Sequence, residues 1–220
     1  MFVPNNKLYK VVTSLRFIVN KLFLGSAKGL ENIPKSPFIL ACNHISIPDA
    51  WLISNLVKSK IGQSTWFIAR DDFWFNRRFT RYISKKLGAL IIDWRHPSKV
   101  LNPALKILQK KGVIGVFPEA ARNSNTKILL KGKTGVARLA LWTGYPVVPV
   151  GYYGPPIAST LQVAKNFALK RNLSKIIFGE PLYFEKKNNS EITKQDLYNT
   201  TDNIMIKIGK LCNKRPQLHN

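Results

Sequence analysis

Three histidines occur in the chain, His44, His96 and His219, and His44 stands where ligand chemistry is usually done. It directly follows Phe38 to Cys42, a short apolar run that reads as a buried strand. In parallel sheets the carboxyl ends of the strands open on the crevice where ligands bind. Asp49 lies five residues on, in Asn43-His44-Ile45-Ser46-Ile47-Pro48-Asp49. Ser46 suits a helix N-cap with Asp49 as its acidic partner three residues later, and Pro48 is tolerated in a first turn. Such a corner points the imidazole back towards the carboxylate. A carboxylate on one ring nitrogen fixes the tautomer and leaves the other nitrogen as a general base. The same residues also fit a plain helix cap beside a loop histidine.

No nucleophile accompanies this pair. There is no Gly-x-Ser-x-Gly elbow, no phosphate loop and no Gly-x-Gly-x-x-Gly, and Cys42 falls inside the buried strand pattern. His44 and Asp49 alone are short of a metal ligand set. A His–Asp dyad without its own nucleophile suits activation of a substrate hydroxyl. Three other strand ends carry charge. Val113 to Phe117 runs into Pro118-Glu119-Ala120-Ala121-Arg122, with Lys127, Lys131 and Lys133 beyond. Arg122 has the guanidinium fork that recognises phosphate, although a solvated Glu119–Arg122 pair is the plainer reading. Leu90 to Ile92 ends in Asp93-Trp94-Arg95, where Arg95 can reach an anion or pair with Asp93. Trp66 to Ala69 ends in Arg70. If these strands are neighbours, their basic groups build a phosphate-sized pocket near His44.

The elements that must position these residues follow from periodicity. Further strands are expected at Val147 to Gly151 and Ile176 to Phe178. Helices are expected at Ile47 to Val57, Asn76 to Lys86, Ser98 to Lys110, Thr134 to Trp142 and Ile192 to Leu211. Strands alternating with helices predict a single α/β domain with a mostly parallel, mixed sheet flanked by helices. Lys186 to Ser190 reads as a linker, and Gln217 to Asn220, with His219, as a frayed end.

The chain has 220 residues, enough for a core without staples, and two cysteines, Cys42 and Cys212, too few for a disulfide scaffold. No secretory signal is recognisable at the start, so a reduced, cytoplasmic setting is expected. Lys and Arg number 35 against 11 Asp and Glu, a net charge of +24, which seeks a polyanion. Lys7 to Leu24 places Leu8, Val11, Val12, Leu15, Ile18, Val19, Leu22 and Phe23 on one arc of a helix. Lys10, Arg16 and Lys21 interrupt that run, so it predicts an N-terminal amphipathic helix lying in a membrane interface rather than crossing it. A helix sealing the domain's own core is the alternative. Leu139 to Ala164 carries no charge but is broken by four prolines and three glycines, which excludes a lipid-exposed span.

Taken together the motifs resemble the glycerolipid acyltransferases, specifically the 1-acylglycerol-3-phosphate acyltransferases. His44 to Asp49 matches the family's His-x4-Asp block. Ile92-Asp93-Trp94-Arg95 resembles its second block, Phe117 to Arg122 its third, and Val147-Val148-Pro149-Val150 its fourth. The third block usually reads Phe-Pro-Glu-Gly-Thr-Arg, whereas Ala120 and Ala121 stand here for Gly and Thr; in the second, Trp94 separates Asp93 from Arg95. These departures bear on acceptor choice. The resemblance implies an acyltransferase domain over residues 33–220 behind a membrane-associating segment over residues 1–32, on the cytoplasmic face of a membrane. It implies transfer of a fatty acyl group from acyl-CoA or acyl carrier protein to the free hydroxyl of 1-acylglycerol 3-phosphate, with no metal or other cofactor. His44 is then the base and Asp49 its orienter. Arg70, Arg95 and Arg122 are phosphate candidates, and Glu119 is expected to hold an Arg or an acceptor hydroxyl. Another lysophospholipid or a glycolipid is the alternative acceptor. A nucleic-acid-binding module is the remote rival: the charge fits, but no nucleic-acid motif is present and no nucleic-acid partner is expected.

Overall fold

A computed structural model describes residues 22–46, 48–70, 82, 88–92, 101–156, 161, 162, 165 and 173–219, with backbone only for Arg70 and Ile92. The apolar runs form strands. In chain order these are β1 (Leu24–Lys28), β2 (Phe38–Cys42), β3 (Thr65–Arg70), β4 (Ala89–Ile92), β5 (Val113–Val116), β6 (Ile128–Leu129), β7 (Val147–Tyr153), β8 (Ser174–Phe178) and β9 (Arg215–Pro216). The helices are α1 (Asp49–Ile61), α2 (Asn102–Gln109), α3 (Gly135–Thr143) and α4 (Lys194–Cys212).

Seven strands make one sheet in the order β1-β8-β7-β2-β5-β3-β4, and β6 pairs with β9 in a separate ribbon. β2 lies parallel to both β5 and β7, β5 to β3, and β3 to β4, so five strands deliver their carboxyl ends to one edge. β8 runs antiparallel to β7, and β1 runs parallel to β8. The sheet is therefore mixed, as expected. Alternation along β2 serves both faces. Phe38, Leu40 and Cys42 pack with Leu52, Ile53 and Val57 of α1, while Ile39 and Ala41 pack with Leu108 of α2, Leu139 of α3 and Ile204 of α4. A central strand buried on both faces has no polar side, which is why its sequence is an unbroken apolar run.

Several expectations change. Leu24, placed at the end of an N-terminal helix, opens β1, and Phe23 is buried in the core instead of facing a bilayer. Leu22 and Phe23 are helical, while residues 7–21 of that expected helix and most of Asn76 to Lys86 lie outside the described residues. The expected frayed end is tied down through residue 219: the Gln217 N–H donates to the Leu129 carbonyl at 3.2 Å, and His219 bonds Asp202. No described helix is long and apolar enough to cross a membrane.

Candidate active site

β2 delivers Asn43 and His44 to the carboxyl edge of the sheet. The Asn43 side chain clips this corner to β7. Its amide donates to the Tyr152 carbonyl at 2.9 Å and its oxygen accepts the Tyr152 N–H at 2.7 Å. Asn43 thus extends the ladder by one side-chain pair, a contribution the sequence reading missed.

The turn after β2 differs from expectation in its capping. α1 starts at Asp49 with Pro48 in the cap position, and Ser46 does not cap it. The Ser46 hydroxyl donates instead to the Pro155 carbonyl. The reason is the Asp49 carboxylate, which is fully buried and folds back over the turn. Oδ2 accepts the Ile45 N–H at 3.0 Å and the Ser46 N–H at 3.1 Å, and Oδ1 accepts the Ala50 N–H at 2.7 Å. Oδ2 also lies 2.8 Å from His44 Nδ1. A carboxylate already receiving main-chain donors acts as acceptor here too, so Nδ1 carries the proton and Nε2 of the neutral ring keeps its lone pair. The His44 side chain is 23% exposed, enough for a ligand to reach the ring.

An aromatic column sets the ring plane. Phe117 stacks on the imidazole at 4.1 Å and 15°, and Phe67 on Phe117 at 5.1 Å and 24°. Gly115 makes room for it: a Cβ there would come within 2.5 Å of the Phe67 ring. A glycine inside a buried strand often marks such a close approach.

Glu119 is 4% exposed, and its carboxylate accepts from main-chain and side-chain donors around it. Oε1 accepts the His44 N–H at 3.2 Å, and Oε2 accepts the Leu130 N–H at 2.9 Å and the Asn123 amide at 2.7 Å. The Asn123 N–H donates in turn to the His44 carbonyl at 2.7 Å. Glu119 and Asn123 therefore grip both main-chain groups of His44. Asn123 lies just past the third block, and nothing in its spacing reports a partner across the sheet edge.

Arg122 is half-buried in the same loop. β3 lies beside β5 and β4 beside β3, with Arg70 opposite Ile92. The Arg70 side chain, and Asp93, Trp94 and Arg95 altogether, lie outside the described residues. Among the described residues no three His, Cys, Asp or Glu side chains are grouped to hold a metal. Burial, with the Asp49 charge second, pushes the Cys42 thiol well above its usual range, so it stays protonated at neutral pH and is no nucleophile.

Ala120 shows what the altered third block costs. It adopts φ 54°, the left-handed region that the family's usual glycine occupies freely. Ala120 is exposed, so nothing is lost by trimming it. Ala120→Gly is expected to raise stability by about 0.5–1 kcal/mol, the relief of the left-handed penalty less the entropy glycine gains in the unfolded chain. A urea melt with an unchanged slope checks this; a lower midpoint would show that the turn is not strained.

A family model described as Acyltransferase matches residues 26–153, more than half of the chain. The chain belongs to the acyltransferase family. Over 214 residues this acyltransferase is 28% identical to a 1-acyl-sn-glycerol-3-phosphate acyltransferase of Bacillus subtilis, spanning 95% of this chain and 96% of the relative. A protein of the same description from Borreliella burgdorferi is 26% identical over 191 residues, 81% of this chain and 72% of the relative. The crystal structure of the 1-acyl-sn-glycerophosphate acyltransferase PlsC from Thermotoga maritima shares the fold. It matches at TM-score 0.60 and 22% identity over 94% of this chain and 76% of the other.

Proposed function

We propose that this acyltransferase moves a fatty acyl group from a thioester donor to the free hydroxyl of 1-acylglycerol 3-phosphate, giving phosphatidic acid. The observation that carries the reading is the His44 Nδ1 to Asp49 Oδ2 contact of 2.8 Å, made at the carboxyl edge of the sheet. Nε2 takes the proton of the acceptor hydroxyl as its oxygen attacks the thioester carbonyl. The tetrahedral intermediate collapses by breaking the carbon–sulfur bond, and the imidazolium returns the proton to the leaving thiolate. The buried Asp49 carboxylate holds the tautomer and stabilises the transient cation. The names of the relatives support the acceptor, and the reading extends to acyl-CoA or acyl carrier protein as donor and to an anionic membrane surface where the lipid is met.

Arg122 is assigned to the acceptor phosphate, with Arg70 and Arg95 as further candidates. Arg122→Ala should weaken the phosphorylated acceptor by about 1.5–3 kcal/mol, the scale of a hydrogen bond to a charged group. The acceptor KM then rises roughly 10- to 100-fold with the donor KM steady. An equal effect on both substrates reassigns Arg122 to holding the loop. The substitutions Ala120 and Ala121 in the third block favour one second reading, a different lysophospholipid or a glycolipid acceptor. A mass-spectrometric transfer assay over a panel of acceptors, with both donor types, separates the two. Product from 1-acylglycerol 3-phosphate ahead of all others supports the proposal, and none from it overturns it.

A further inference from the structure

The chain ends in a strap that the proton chemistry at His44 does not itself require. After α4 the backbone reverses at Asn213, φ 51°, and returns along the helix. The Arg215 N–H donates to the Lys127 carbonyl at 2.8 Å and the Gln217 N–H to the Leu129 carbonyl at 3.2 Å, pairing β9 with β6. The Lys214 ammonium donates to the Asn125 carbonyl at 2.5 Å. The far end is latched to α4. The His219 N–H donates to Asp202 Oδ2 at 3.0 Å, Nδ1 lies 2.7 Å from Oδ1, and the ring stacks on Tyr198 at 4.2 Å.

What the strap holds is the loop that grips His44. Residues 118–133 form a closed loop, since the Lys133 N–H donates to the Pro118 carbonyl at 2.8 Å. Its returning limb lies against α4 at Gly132, where a Cβ would come within 2.7 Å of Thr201 and 2.8 Å of Met205. Inside it, β6 carries the inner bonds. The Ile128 carbonyl accepts the Asn123 amide at 2.8 Å, and the next residue after β6, Leu130, donates to Glu119. β6 therefore stands between the tail and the two residues that hold the His44 main chain.

We propose that the C-terminal tail, Lys214 to His219, is a positioning element for His44, acting through β6 and the Glu119–Asn123 grip. The proposal rests on His44 being the base. A pairing of two residues by two is marginal alone, so β6 keeps its place in the loop with support from the strap on its outer side. A shift of about 1 Å at a reacting group is enough to cost up to 10²-fold in rate.

The test uses the full chain and a matched pair at the exposed residue Gln217. Gln217→Pro removes the N–H that bonds Leu129; Gln217→Ala keeps it. Gln217→Pro should lower kcat roughly three- to thirtyfold with donor KM unchanged, the range of coupling through a packed network. Amide exchange should quicken over residues 117–133 and stay slow in β2 and β7. Gln217→Ala should match the wild type in both. A folded Gln217→Pro with the kcat and exchange of Gln217→Ala overturns the proposal. His219→Ala, which frees only the tail's end, covers the case in which the proline variant fails to fold. It should show the same two changes in smaller measure, restored by His219→Asn, which keeps a donor for Asp202; wild-type values in His219→Ala overturn the proposal equally. Absent transfer to 1-acylglycerol 3-phosphate in the wild type sinks the functional reading instead, while the exchange comparison still reports on the strap.

Discussion

Replacing His44 by alanine should lower acyl transfer by about 10²–10⁴-fold, the usual loss when a positioned general base is removed. The protein should stay folded, because the ring is partly exposed and its removal leaves the main-chain grip of Glu119 and Asn123 in place. Binding of both substrates should be nearly unchanged, so the loss falls on kcat. Asp49→Asn should cost less in rate, since an amide still offers Nδ1 an acceptor, but it should also cost stability. One oxygen becomes an NH2 group in a pocket where Ile45, Ser46 and Ala50 all present N–H donors. Near-normal turnover by a purified His44→Ala protein would end the mechanism.

Glu119→Ala should be the most destabilising single change at the site, by about 3–5 kcal/mol. Three donors, the His44 N–H, the Leu130 N–H and the Asn123 amide, lose their acceptor together in a buried place. Each orphaned donor costs roughly 1–3 kcal/mol, less what relaxation and water recover. Glu119→Gln should not rescue fully, because its NH2 would face a donor at one of the two oxygens. Urea unfolding of Glu119→Ala beside Arg122→Ala is the measurement. Loss of stability in the first without a matching loss in the second supports the division of labour between them. A stable Glu119→Ala whose only defect is a raised acceptor KM would return Glu119 to the substrate.

The strands that position the site are legible because they are buried on both faces. β2, β5 and β7 read as apolar runs and end within a residue or two of where periodicity puts them. The His44–Asp49 pair is legible because its partners are five residues apart and a strand-to-helix corner brings such residues together. β1 is not legible: Leu24 to Lys28 is a partly exposed edge strand with small and polar residues and no apolar alternation. β6 and β9 escape notice since two residues carry no period. The role of Glu119 is hidden for a different reason. Its partner His44 is 75 positions away, and no local pattern reports a bond over that separation. Asn43 is the same case, its partner Tyr152 being 109 positions distant. His219 looks loose because chain ends usually are; Asp202 and Tyr198 decide otherwise.

The reversed pair β8 and β1 has a consequence for diffusion. Because both strands run against the other five, they begin where the others end: Lys175 lies opposite Tyr153, and Leu24 opposite Ser174. Were β1 parallel to β7 instead, the chain before Leu24 would leave from the far side of the sheet, a five-residue strand or roughly 17 Å away. As built, it joins the fold on the edge that carries His44. A ligand held by the residues before Leu24 would then be kept near that edge, and its local concentration at the base would be set by the span across three strands to β2, roughly 14 Å, rather than by the bulk solution.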